Sequence, residues 1–180
     1  MKTVLPKLKL GSITLREVLP DDYLDYYEIG KDEEVVKYLN WGPYNNPMEA
    51  LWIINEVFYK RPLDGLPIGY AIIVDNKMIG IIDYHTYDLK ENSCEIGYVL
   101  NKNYWGLGIM KKCLKAVIDV GFNYLELNKL ICGHLASNIR SRNVILACGF
   151  KYERNVIINN KGKDELGIYY SLYKYEYQRR

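Results

Sequence analysis

The stretch Asn103-Tyr104-Trp105-Gly106-Leu107-Gly108-Ile109 is where residue types and spacing point most directly to chemistry. Its two glycines permit positive φ and let backbone N–H groups come close to a bound anion. The apolar-periodic run behind them, Ile109 to Leu125, predicts a helix whose positive end faces the same spot, an arrangement suited to a pyrophosphate. No Gly-Lys-Ser/Thr follows, which excludes a P-loop. A dinucleotide fingerprint is disfavoured because no G-x-G-x-x-G is present and the preceding strands form a hairpin meander. A glycine pair can equally serve the geometry of a strand-to-helix turn.

His85 and Glu95 are the candidate acid–base groups. A hairpin centred on Lys90 sets them opposite one another across two strands. A carboxylate beside an imidazole could take a proton from a nucleophile, directly or through water. Glu95 could equally hold His85 for structural reasons, and both readings stand. Cys94, Cys113, Cys132 and Cys148 are scattered, form no C-x-x-C pair and have only two histidines beside them, so no metal site is expected. They fall in predicted strands or helices as buried reduced thiols, which points to a cytoplasmic protein. No Cys-His-Asp order supports covalent catalysis by a cysteine.

The elements that position these groups follow from periodicity. Ile13–Leu19 reads as a strand, and Pro20 opens a helical stretch interrupted up to Leu39, with Asp21 and Asp22 at its positive end. A loop over 40–47 precedes a helix from Met48 to Tyr59. Strands are expected over Ile68–Asp75, Met78–Tyr87 and Ser93–Leu100, then the glycine loop and its helix. Lys129–Leu135 reads as a strand and Ile139–Cys148 as a helix. Strands Tyr152–Ile158 and Glu165–Tyr175 flank the Asn159–Lys163 turn. The order is mixed α/β with hairpins rather than a βαβ array.

The chain has 180 residues, 49% apolar and 26% charged, with no internal repeat or low-complexity linker, so one domain over residues 1–180 is expected. A net charge of +2 is too mild for a nucleic-acid groove, and Arg179-Arg180 reads as a solvated tail end. The first residues carry no apolar h-region, and no apolar run approaches the roughly 18 residues of a membrane span. Neither nucleic acid nor membrane is expected as a partner. The eighteen tyrosines fall mostly at alternating or helical spacing, which core packing explains.

Taken together, Ile13–Leu19, Trp41-Gly42-Pro43, the Glu95–Ile109 run, Asn138 with Ser141, and Tyr170-Ser171-Leu172 resemble the GNAT superfamily, and within it the RimJ/RimL-type N-acetyltransferases. The resemblance implies a mixed, mostly antiparallel, twisted seven-stranded sheet flanked by about four helices and splayed between its fourth and fifth strands. It implies acetyl-CoA as cosubstrate. The pantetheine arm would pair with the backbone of Val99 and Leu100, and the pyrophosphate with the amides of Trp105, Gly106, Leu107, Gly108, Ile109 and Met110. Asn138 would touch the pantetheine, and Ser141 would lie near the thioester sulfur as hydrogen-bond donor to the leaving thiolate. A backbone N–H of Val99 or Leu100 could serve the oxyanion. Trp41, with Tyr44 and Tyr84, would wall the acceptor pocket. The acceptor implied is a primary amine, a ribosomal-protein N terminus or a small molecule, attacked directly in a ternary complex. Relatives of this type are commonly dimers, so a homodimer is among the implied partners. The chain departs from the pattern at Asn103, where the family usually has Gln or Arg, and at Lys112, where relatives often carry Glu. Asn103 in place of Gln or Arg, together with the open choice of base, keeps a second reading in play, a CoA-binding or protein-interaction module without turnover.

Overall fold

The computed structural model describes residues 2–178, so the Arg179-Arg180 tail lies outside the described residues. Among those described, the strands are β1 (Leu8–Leu10), β2 (Ile13–Glu17), β3 (Tyr70–Val74), β4 (Lys77–Asp88), β5 (Ser93–Leu100), β6 (Lys129–Leu135), β7 (Lys151–Asn160) and β8 (Lys163–Tyr173). The helices are α1 (Tyr23–Gly30), α2 (Glu33–Val36), α3 (Pro47–Ile53), α4 (Ile109–Asp119), α5 (Ile139–Ala147) and α6 (Lys174–Tyr177). Hydrogen-bonded strands follow the order β1-β2-β3-β4-β5-β6-β8-β7. β5 and β6 are parallel, whereas β1/β2, β2/β3, β3/β4, β6/β8 and β7/β8 are antiparallel.

The expected class, mixed and mostly antiparallel α/β, is the one observed, with eight strands rather than seven. The additional one is β1, whose Leu8 and Leu10 pair with Leu15 and Ile13 of β2. A three-residue Leu-Lys-Leu alternation is too short to stand out as a strand signal in sequence. Both long helices of the sequence reading are α-helical only in their first part. Pro47–Ile53 continues as a π-helical turn over Ile54–Phe58, and Ile109–Asp119 as another over Val120–Tyr124. The closing bonds run from Tyr59 N–H to Ile54 O and from Leu125 N–H to Val120 O. Apolar periodicity hardly changes over one wider turn, so sequence pattern does not show it. The last strand ends at Tyr173, and Tyr175 belongs to α6.

Two compact units divide the chain: one holds the chain up to Asp83 together with Tyr98–Ile109, the other Tyr84–Gly97 together with the chain from Met110 onward. The first has a core of Val18, Tyr26, Ile29, Val36, Ile54, Phe58, Met78 and Ile81, against which Trp41 and Trp105 pack. Its helices are short and well capped. Asp32 accepts the N–H groups of Glu34 and Val35 at the start of α2, and Asn46 accepts that of Met48 at the start of α3, where Pro47 occupies the first turn. Gly30 closes α1 where the Tyr44 ring lies against it, so a Cβ there would fall 2.3 Å from the ring.

The second unit is built on β6 and the β7/β8 hairpin. Its helical face is supplied by α4, where Met110, Cys113, Leu114, Val117 and Ile118 are buried at intervals of three and four. The Tyr84 hydroxyl, fully buried, donates to Val117 O at 2.5 Å, just before the helix widens. Tyr177 of α6 returns to α4 and donates to Asp119 Oδ1 at 2.9 Å.

Candidate active site

In the first unit, the end of β5 and the loop after it are held by a chain of short-range bonds. Asn101 N–H donates to Ile79 O of β4 at 2.8 Å. The Val99 carbonyl also lies on the β4 side, where a Cβ added to Gly80 would meet it at 2.5 Å. Strand alternation therefore turns the N–H and C=O of Leu100 to the opposite edge. The carbonyl is met there by the Trp105 indole, whose Nε1–H donates to Leu100 O at 2.8 Å. A 3₁₀ turn over Lys102–Tyr104 brings Trp105 back, with Asn101 Oδ1 accepting Asn103 N–H at 3.0 Å. Lys102 Nζ pairs with Asp32 Oδ2 at 2.6 Å, so the residue that caps α2 also anchors this turn.

Gly106 and Gly108 have φ of +76° and +73°. A Cβ built on either meets no atom within 4 Å, so no protein atom demands glycine there. The two are selected by backbone conformation, and the space above them is open to a ligand. The loop leads directly into the amphipathic α4.

The second unit holds the remaining candidates. His85 Nδ1 and Glu95 Oε2 stand 3.8 Å apart, with side chains 37% and 19% exposed, so the hairpin does bring them face to face. The imidazole also meets Thr86 Oγ1 through Nδ1 at 3.0 Å. Asn138 caps α5 by accepting the Ser141 N–H at 3.2 Å, which fixes the two residues together at the helix start. β5 and β6 are in register over Ser93–Lys129, Cys94–Leu130 and Glu95–Ile131, the first residues of each strand.

Trp41 and Tyr44, in the first unit, are stacked at 5.3 Å between centroids and 19° between planes. The Tyr44 hydroxyl donates to that of Tyr26 at 3.3 Å, and burial pushes the Tyr44 phenol up to about 12. Trp41 is half-buried. Tyr84, in the second unit, is a fully buried core residue whose hydroxyl bonds α4, so it does not wall a pocket; its periodicity is the same for a core as for a pocket. Sequence reasoning missed the Lys102–Asp32 anchor and the Arg61 Nη1–Asp83 Oδ2 pair at 3.0 Å, whose partners are far apart in the chain and carry no motif.

All four cysteines are free and buried. Burial pushes the Cys94 and Cys113 thiols up to about 12 and raises those of Cys132 and Cys148 as well. None is a thiolate near neutrality. Among the described residues, no group of three or more His, Cys, Asp or Glu could hold a metal ion, and no helix is long and apolar enough to cross a membrane.

The fold combines a mixed sheet containing the parallel pair β5/β6 with an open glycine loop that runs from the end of β5 into an amphipathic helix, and its class is that of the acetyltransferases. The model of the acetyltransferase (GNAT) domain matches residues 12–151, and the chain belongs to that family. It is an N-acetyltransferase with acetyl-CoA as the donor. The chain is 30% identical to an uncharacterized N-acetyltransferase, p20, of Bacillus licheniformis, over 92% of this chain and 94% of that one. It is 32% identical to the putative ribosomal N-acetyltransferase YdaF of Bacillus subtilis, over 64% of this chain and 63% of that one. The fold is also that of a GNAT-family acetyltransferase from Bacillus anthracis, with a TM-score of 0.84 and 22% identity over 95% of this chain and 100% of that one.

Proposed function

We propose that the protein acetylates a primary amine, foremost the N terminus of a ribosomal protein and otherwise a small molecule, by direct attack on acetyl-CoA in a ternary complex. The observation that supports this reading is the Gly106/Gly108 loop, whose positive φ and open space at the start of α4 leave room for a pyrophosphate. The ribosomal acceptor draws on the likeness to YdaF. Cytoplasmic residence draws on the four free thiols, and a single domain over 1–180 on a family match that runs through both units.

The chemistry is assigned residue by residue. Amides of Trp105 to Met110 take the pyrophosphate. The expected pantetheine contact of Val99 is not available, because its backbone is turned toward β4. The Leu100 carbonyl, with a second lone pair beside the Trp105 bond, takes a pantetheine amide, and Leu100 N–H, turned away from β4, takes the oxyanion. Asn138 supports the pantetheine. The neutral amine attacks the thioester carbon, forming the C–N bond and an oxyanion. Collapse breaks the C–S bond, and the thiolate leaves with a hydrogen bond from the Ser141 hydroxyl. The proton of the attacking nitrogen goes to Glu95 or His85, or to water between them. Trp41, half-buried and stacked on the buried Tyr44, supplies an aromatic wall for the acceptor. The raised thiol pKa values support transfer without an acetyl-cysteine.

The test is titration calorimetry of acetyl-CoA against wild type and Gly106→Glu. A carboxylate at the loop adds bulk and charge where the pyrophosphate sits, so affinity is expected to drop at least ~100-fold in a variant that remains folded. A folded wild type that binds no acetyl-CoA sinks the proposal and favours a protein without turnover.

A further inference from the structure

We infer that Trp105 is a positioning residue for the oxyanion donor, through its indole N–H rather than through the loop amide assigned to it above. The inference rests on the proposed role of Leu100 N–H. Oxyanion donors act by being fixed before charge develops, so what holds the Leu100 backbone matters as much as the donor itself. The peptide linking Leu100 to Asn101 is held from both edges. Its N–H donates to Ile79 O at 2.8 Å, and its carbonyl accepts from Trp105 Nε1 at 2.8 Å. Upstream, the close approach of the Val99 carbonyl to the Cβ-less Gly80 limits movement toward β4. Leu100 thus lies between two restrained peptide planes, and its N–H inherits their orientation.

The loop itself does not depend on the indole bond. Its turn is closed by Tyr104 N–H to Asn101 O at 3.0 Å and Trp105 N–H to Lys102 O at 3.1 Å, and is tied down by the Lys102–Asp32 pair. The Trp105 ring also packs against the core of its unit, a contact that phenylalanine largely preserves. Removing the N–H alone therefore loosens the strand end and leaves the anion cradle in place, which predicts an effect on kcat with little change in acetyl-CoA affinity.

The experiment compares wild type with Trp105→Phe. CoA release is followed with an amine that wild type accepts from a panel of N-terminal peptides and polyamines, and acetyl-CoA binding is measured by calorimetry. Loss of one hydrogen bond predicts that kcat falls about 3- to 10-fold. The Kd for acetyl-CoA is expected to change less than about twofold, a difference of a few tenths of a kcal/mol. In parallel, the Leu100 carbonyl carbon is observed by NMR, and its resonance is expected to move upfield in the variant as the bond is lost. An unchanged kcat, a kcat loss matched by an equal loss of affinity, or an unmoved Leu100 carbonyl each overturns the inference. Failure of the underlying function is distinguishable, because wild type itself then neither binds acetyl-CoA nor turns over.

Discussion

Arg61 and Asp83 show how much a single residue pair can carry in the first unit. The guanidinium meets Asp83 Oδ2 at 3.0 Å, reaches Ile68 O at 3.4 Å and lies 4.4 Å from the centroid of the Phe58 ring. Both side chains are nearly buried, at 13% and 11% exposure, and Asp83 Oδ1 has no hydrogen-bond partner among the described residues. Arg61→Met would leave the carboxylate buried and uncompensated, at an expected loss of about 3–5 kcal/mol. Arg61→Met with Asp83→Leu removes both charges and should recover most of that loss. Urea unfolding of the wild type and the two variants checks this, and a single variant as stable as wild type would refute it. Nothing in the sequence pairs these two residues, because an ion pair across a fold leaves no periodic trace. The glycine loop was legible because positive φ restricts residue type at each position. Tyr84 shows the converse: a tyrosine fits a core and a pocket wall equally well until the partner of its hydroxyl is known.

At the scale of elements, strand and helix order was readable almost throughout, and β6 matches its expected limits of Lys129 and Leu135. What sequence pattern could not supply was the backbone detail inside an element, such as the two π-helical turns, and the short β1. The start of α5 joins stability and function in one side chain. Asn138 Oδ1 caps the helix by accepting Ser141 N–H, while its amide is proposed to face the pantetheine. The two roles separate by substitution. Asn138→Asp keeps a capping acceptor and should leave thermal stability near wild type, whereas Asn138→Ala should lose about 1 kcal/mol. For a chain of this size that corresponds to a Tm decrease of roughly 2–4 °C. Both variants lack the amide N–H and should weaken acetyl-CoA binding. If the Asn138→Asp variant binds acetyl-CoA as wild type does, Asn138 is a helix cap only.

For the whole molecule, two probes are already distributed between the two units. Trp41, Trp52 and Trp105 all belong to the unit that runs up to Asp83 and resumes over Tyr98–Ile109, whereas Cys94, Cys113, Cys132 and Cys148 all belong to the other. Tryptophan fluorescence therefore reports unfolding of the first, and reactivity of the buried thiols toward an aromatic disulfide reports opening of the second. Three elements pass from one unit into the other along the chain: β4 after Asp83, β5 after Gly97 and α4 after Ile109. A strand or helix frays over its length rather than stopping at a chosen residue, so neither unit has a complete set of elements once the other has melted. The proposed single domain over residues 1–180 then requires one cooperative transition, with fluorescence and thiol exposure sharing a midpoint in urea. Addition of acetyl-CoA should move both midpoints upward by the same amount, since a ligand of the native state stabilises the entire cooperative unit. Separate midpoints in the absence of acetyl-CoA would mean that the two units unfold independently. A shift confined to the fluorescence transition would mean that the cofactor is held by the first unit alone, which would remove Asn138 and Ser141 from the binding site.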